Sequence, residues 1–115
     1  MATVVLVNTA PYGTEGPYNA LRLAQALALQ GEEVDLFFMG DGVHTGRAGQ
    51  EPLTAHASLE GMLREVLERA VPVTLCGTCC KARGVAENEL VKGVRVGTIK
   101  ELADLVRRAD RVVSF

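Results

Sequence analysis

Short apolar runs and longer amphipathic segments alternate along the chain, and this rhythm restricts the fold more than any other feature. The first run, TVVLVN at residues 3–8, is rich in β-branched residues and has no polar face, which is typical of a strand buried on both sides. Further short runs follow at EVDLFFMG, PVTLCG, VRVG and DRVVSF. The alternation predicts an α/β fold with three layers, in which helices flank a mostly parallel sheet of about five strands.

The amphipathic segments between these runs predict the helices. YNALRLAQALALQG ends at Gly31, a residue typical of helix ends, SLEGMLREVLERAV begins with the potential cap Ser58, and TIKELADLVRRA begins with the potential cap Thr98. DGVHTGRAGQEP is rich in glycine and polar residues, and we expect a loop without regular structure there. With 48% hydrophobic and 23% charged residues among 115, the chain suits one core and one domain over residues 1–115.

Charge and hydropathy exclude two classes of partner. The formal net charge is −2, aromatic residues make up 4% of the chain and tryptophan is absent, so we expect no direct nucleic-acid partner. No apolar run approaches the roughly 18 residues of a membrane span, and the N-terminus has no basic region of a secretion signal. The sequence therefore predicts a cytoplasmic protein with no membrane partner.

All three cysteines lie within TLCGTCCKARG, at residues 76, 79 and 80. A structural zinc site usually takes four ligands, and here one C-x-x-C pair stands far in sequence from His44 and His56, to which we assign no role. We therefore expect no metal. The glycines of GDGVHTGRAG lack the pattern of a phosphate-binding loop, and we expect no cofactor. Cys80 has two interpretations, packing in the core and a functional thiol.

Cys76 is the candidate nucleophile because it ends a predicted strand just before a predicted helix. The unpaired N–H groups of Gly77 and Thr78 at the start of that helix favour a thiolate, and both residues are candidates to bind the substrate. The sequence thus predicts a lowered pKa for Cys76, with Lys81 and Arg83 adding to the effect. Cys79 lies one turn further on and can resolve a persulfide as a disulfide or merely accompany Cys76.

The loop after the first strand is expected at the same edge of the sheet as the cysteines. Asn8 and Tyr12 in this loop border the expected mouth of the site and are candidates to orient a sulfur donor. The alternative explanation is that asparagine and glycine occur in this loop because they favour the backbone conformation of a turn.

The segment CGTCCKARG, with a cysteine at the end of a buried strand and an Arg-Gly pair after it, resembles the active-cysteine segment of the DsrE/DsrF-like family of sulfur-relay proteins, which includes the TusD-type carriers. NTAPYGTEGPYNALRLAQAL and VDLFFMGDGVHTGRAGQ are similar to other parts of that family. The resemblance implies a compact, commonly oligomeric α/β subunit, here one DsrE-like domain, whose cysteine carries sulfane sulfur as a persulfide. Matched from the Arg-Gly pair, that cysteine is Cys76.

Three functions follow as hypotheses. The first is a sulfur carrier or sulfurtransferase that acts through a Cys76 persulfide, with sulfur donor and acceptor proteins or small sulfur compounds as partners and with a homo-oligomeric assembly. The second is thiol redox chemistry by Cys76 and Cys79. The third is a non-catalytic oligomeric interaction subunit in which the cysteines only pack.

Overall fold

A computed structural model describes residues 1–53 and 58–115 of the chain. The strands are Ala2–Val7 (β1), Glu33–Phe38 (β2), Val73–Cys76 (β3), Arg95–Gly97 (β4) and Arg111–Ser114 (β5). The α-helices are Gly16–Leu29 (α1), Leu59–Glu68 (α2), Gly77–Ala82 (α3) and Ile99–Arg108 (α4). Two 3₁₀ segments, Gly40–Gly46 and Glu87–Glu89, complete the regular structure of these ranges.

All five strands pair in parallel, in the order β4-β3-β2-β1-β5. From β1 to β4 the chain steps across the sheet in one direction, and from β4 to β5 it returns to the far side of β1. Right-handed crossovers that run in opposite directions place their helices on opposite faces. Helices α1 and α2 therefore pack together on one face and α4 lies on the other, which confirms the predicted three-layer α/β/α fold.

The helix ends follow the signals in the sequence. The Ser58 side chain accepts a hydrogen bond from the Gly61 N–H at 3.1 Å at the start of α2, and Thr98 Oγ1 accepts one from the Glu101 N–H at 3.2 Å at the start of α4. Gly31 follows α1 with φ of +82°, a conformation that glycine adopts without steric cost. These contacts confirm the predicted caps and the predicted stop.

The expectation of a loop without regular structure at residues 41–52 is wrong for its first half, because residues 40–46 form a largely buried 3₁₀ helix. Its glycines allow it to pack close to the sheet. A Cβ on Gly42 would lie 2.6 Å from the carbonyl oxygen of Val7, and one on Gly46 would lie 2.8 Å from Cδ1 of Leu75. The glycines that suggested a loop are thus the residues that let this segment enter the core.

The core fills the space between the sheet and its helices, with Phe37, Phe38, Leu21, Leu63 and Leu75 among its largest fully buried side chains. None of the helices in the described ranges is both long enough and apolar enough to span a bilayer.

Candidate functional site

The three cysteines lie at the carboxyl edge of the sheet, and their exposure to solvent differs. Cys76 is the last residue of β3, pairs with Gly97 of β4 and is only 5% exposed. Cys80 is 3% exposed and belongs to the core, as the packing interpretation expects. Cys79 is partly exposed. All three are free thiols, so the site holds one partly exposed and two buried cysteines.

The turn from β3 into α3 fixes the position of the Cys76 sulfur. Cys76 has extended backbone angles and precedes the first residue of α3, and its Sγ accepts a hydrogen bond from the Cys79 N–H at 3.4 Å. The sulfur thus takes the capping role that a serine or threonine oxygen usually fills. Cys76 is therefore both the end of the strand and the cap of the helix.

Gly77 and Thr78, the two residues after Cys76, have different surroundings. A Cβ on Gly77 would lie 3.1 Å from the carbonyl oxygen of Gly97, so this glycine lets α3 begin close against β4. Thr78 is exposed, and its backbone N–H is one of the groups that favour the ionised form of Cys76. The structure brings both residues next to Cys76, and their part in binding a substrate stays a prediction.

The predicted lowering of the Cys76 pKa is wrong. Burial raises the pKa of the Cys76 thiol, and although the N–H groups of Cys79 and Thr78 oppose this shift, the hydrogen bond and the charge of the Cys79 side chain reinforce it. Burial likewise raises the pKa of Cys80. Cys76 is therefore a protected, mostly protonated thiol near neutral pH.

An ion pair connects the end of α3 to the 3₁₀ helix at residues 40–46. Arg83 Nε donates to Asp41 Oδ1 at 2.8 Å, and Arg83 Nη1 donates to the carbonyl oxygen of Cys79 at 3.2 Å. The Asp41 carboxylate raises the pKa of Arg83 most, and the charges of Cys79 and Cys76 add to this. The sequence indicated Arg83 but not Asp41, because the two are 42 positions apart and no local pattern connects them.

Asn8 and Tyr12 each make a hydrogen bond within the fold. The Asn8 N–H donates to the carbonyl oxygen of Phe115 at 2.8 Å, and Asn8 follows β1, which is two strands from β3 and so roughly 10 Å away. The Tyr12 hydroxyl accepts a hydrogen bond from the Leu59 N–H at 3.1 Å, which ties the loop to the start of α2. Their contact with a substrate stays a prediction.

No group of three or more potential metal ligands occurs within residues 1–53 and 58–115. His44 lies in the 3₁₀ helix, where its carbonyl oxygen accepts hydrogen bonds from the Arg47 N–H and the Gln50 side chain. His56 lies outside the described residues.

The whole chain, residues 1–115, matches the sequence profile of the DsrE/DsrF-like family. The chain belongs to this family. Protein YchN of Escherichia coli is 42% identical over 114 residues, which cover 97% of each chain, and an uncharacterized protein of Methanopyrus kandleri is 40% identical over 111 residues, which cover 96% of this chain and 91% of the relative.

Two further comparisons extend this assignment. The crystal structure of YchN superposes with a TM-score of 0.91 and 100% coverage of both chains. A Haemophilus influenzae protein described as a sulfurtransferase TusD homologue is 27% identical over 126 residues and covers 100% of both chains. The predicted resemblance to the DsrE/DsrF-like family is thereby confirmed.

Proposed function

We propose that this member of the DsrE/DsrF-like family is a sulfur-relay protein that carries a sulfane sulfur as a persulfide on Cys76. Membership of the family over the whole chain supports a sulfur-relay role, as does the similarity to proteins described as TusD homologues. The observation that carries the choice of residue is the place of Cys76, a free thiol at the carboxyl end of β3 with its Sγ held by a backbone N–H.

The burial of Cys76 suits the storage of a reactive sulfur. A persulfide is open to attack by other thiols, and a cysteine that is only 5% exposed shields its sulfur from reductants in solution. The N–H of Cys79 favours the anionic form that must attack a donor. The site therefore combines protection with one group that assists ionisation.

Loading needs no net oxidation or reduction. A protein thiolate attacks the outer sulfur of a donor persulfide, a new S–S bond forms, the S–S bond of the donor breaks, and the donor leaves as a thiolate. Unloading is the same reaction with an acceptor thiolate. Sulfur donor and acceptor proteins, or small sulfur compounds, are thus the partners that this function requires.

We also propose that the chain acts as one DsrE-like domain within a homo-oligomer. Exposed apolar side chains on consecutive elements support assembly: Ile99 and Val106 on α4 are 62% and 41% exposed, and Val112 on β5 is 44% exposed. Burying such side chains against a second copy would remove apolar surface from water.

The mass of the intact protein after incubation with polysulfide, thiosulfate or a persulfide-loaded cysteine desulfurase tests the proposal. We expect the parent to gain one sulfur atom that dithiothreitol removes, and we expect Cys76→Ser to retain none stably. Cys80→Ser is the matched control, since it also alters a buried thiol on the same segment, and it should load like the parent. A parent that gains no sulfur, or a Cys76→Ser variant that retains it as the parent does, would refute the proposal.

The 3.4 Å hydrogen bond from the Cys79 N–H to Cys76 Sγ favours a second candidate, thiol redox chemistry by this pair. A C-x-x-C pair at the start of a helix can close to a disulfide. The rates of two reactions distinguish the two functions. A redox protein reduces a disulfide substrate faster than it transfers added sulfur, and a sulfur carrier does the reverse. Slow and equal alkylation of all three cysteines would instead support the non-catalytic interaction subunit.

A further inference from the structure

The carrier thiol and the accessible thiol of this site are different residues. Cys76 is 5% exposed and packs in the core, whereas Cys79, one helical turn later, is partly exposed. Cys79 is less buried than Cys76, although its side chain packs partly against the core, so a donor as large as a protein active site meets Cys79 more readily. The difference in exposure therefore makes Cys79 the residue where sulfur can enter and Cys76 the residue where it is protected.

Cys76 and Cys79 lie one helical turn apart at the start of α3, a spacing at which side chains are neighbours. The Cys79 N–H donates to Cys76 Sγ at 3.4 Å, and the side chain of Cys79 contributes to the raised pKa of Cys76. Arg83 fixes the far side of this turn, since its Nη1 donates to the Cys79 carbonyl oxygen while its Nε is paired with Asp41. Cys79 is thus held through its backbone N–H on one side and its carbonyl oxygen on the other.

We propose that Cys79 is the entry and exit thiol of the relay, and that sulfur passes from Cys79 to the protected Cys76 within one subunit. This inference rests on the proposed function, and it assigns a direction of transfer to the pair. It also makes Cys79, rather than Cys76, the residue that meets the donor and the acceptor.

The transfer balances without an added oxidant or reductant. Cys79 first takes the outer sulfur of the donor persulfide, and the donor leaves as a thiolate. The Cys76 thiolate then attacks the outer sulfur of the Cys79 persulfide, so that the S–S bond at Cys76 forms, the S–S bond at Cys79 breaks, and Cys79 recovers its electron pair. The proton lost by Cys76 returns to Cys79, and the reverse sequence delivers sulfur to an acceptor.

Attack on the inner sulfur would give a different product. It would expel hydrosulfide and leave a disulfide between Cys76 and Cys79, which returns to two thiols only with an external reductant. The two paths are distinguishable by mass, because the relay conserves the added sulfur and the disulfide path loses it together with two hydrogen atoms.

The test is a rapid-quench experiment with glutathione persulfide as the donor. Samples are alkylated at successive times, and tandem mass spectrometry locates the added sulfur within the peptide that contains all three cysteines. In the parent we expect sulfur on Cys79 first and on Cys76 later. We expect Cys79→Ser to slow the appearance of the Cys76 persulfide about tenfold or more, since the direct path to a buried sulfur is obstructed.

Two further variants complete the design. Cys76→Ser should still take sulfur on Cys79 transiently, and should lose it to glutathione about tenfold faster than the parent does, because Cys79 is less buried than Cys76. Cys80→Ser should load in the same order and at the same rate as the parent. Far-UV circular dichroism of each variant establishes that the fold is kept.

The outcomes separate this inference from the proposed function. A Cys76 persulfide that forms before any on Cys79, or at the parental rate in Cys79→Ser, overturns the relay but leaves the Cys76 carrier intact. A hydrosulfide product with a Cys76–Cys79 disulfide also overturns the relay. A parent that takes no sulfur on any cysteine overturns both proposals. Alkylation without any donor gives an independent check, and Cys76 reacting before Cys79 would contradict the accessibility on which the relay depends.

Discussion

Replacing Gly46 by alanine tests how closely the 3₁₀ helix packs on β3, the strand that ends at Cys76. The Cβ of an alanine at this position would lie 2.8 Å from Cδ1, 3.1 Å from Cδ2 and 3.3 Å from Cγ of Leu75, which is fully buried and directly precedes Cys76. Overpacking of this kind costs about 1–3 kcal/mol. Alanine also lowers the conformational entropy of the unfolded chain, which stabilises the folded state by about 0.4–1 kcal/mol. We therefore expect Gly46→Ala to lower the free energy of unfolding by about 1–2 kcal/mol.

A double-mutant cycle with Leu75→Ala sharpens this prediction. That change removes Cγ, Cδ1 and Cδ2, the three atoms that the new methyl group would meet, and by itself costs about 2–5 kcal/mol. In the Leu75→Ala background the added methyl group no longer clashes and fills part of the cavity. The double variant should therefore be more stable than the sum of the single effects by about 1–3 kcal/mol.

Urea denaturation followed by circular dichroism measures all four proteins, at one protein concentration in case assembly contributes to stability. Gly13→Ala is the matched control, because its Cβ would lie at an ordinary 3.6 Å from the Cβ of Ala10. It should leave the free energy of unfolding unchanged or slightly higher. A Gly46→Ala protein as stable as Gly13→Ala, or a cycle that is additive, would refute the close packing of the 3₁₀ helix on β3.

Three other predictions concern the site and the assembly. Because burial raises the pKa of Cys76, the midpoint of its alkylation rate against pH should lie above the pKa of an ordinary thiol. As the pH rises through this raised pKa, the free energy of unfolding of the parent should fall more than that of Cys76→Ser. The folded state holds the proton more tightly, so a midpoint below that of a free thiol would contradict the burial argument. Light scattering should give a multiple of the 12.3 kDa subunit mass, and a monomer at micromolar concentration would exclude the proposed homo-oligomer. Elemental analysis should find no stoichiometric zinc, and one zinc per chain would show that the single C-x-x-C pair finds further ligands.

The fold could be predicted from the sequence because its signals are local and repeated. The β-branched residues of β1 and the apolar stripes of α1 and α2 each mark one element, and Ser58 and Thr98 mark where two helices begin. The alternation of these elements then leaves few topologies, since parallel strands need crossover connections. The order β4-β3-β2-β1-β5 needed the structure, because it depends on contacts between distant segments.

The parts of the site that the sequence did not predict are those set by such distant contacts. The position of Cys76 between a strand and a helix was visible, and it indicated a thiolate. Its burial was not visible, because it depends on distant segments, β4 and the 3₁₀ helix, that pack beside β3, and burial outweighs the N–H groups in setting the pKa. The Asp41–Arg83 pair and the 3₁₀ helix were missed for the same reason.

The edge strand β5 has a consequence for how the protein opens. It pairs with β1, more than a hundred positions earlier in the chain, and most of its residues are exposed. Strands with little buried surface open locally at a lower free energy than the core does. In native-state hydrogen exchange of a subunit whose β5 is not covered by a second copy, the amides that join β5 to β1 should therefore exchange before those that join β1 to β2. Each such opening uncovers the backbone of β1 as a free sheet edge, and an uncovered edge is a template on which a strand of another chain can pair.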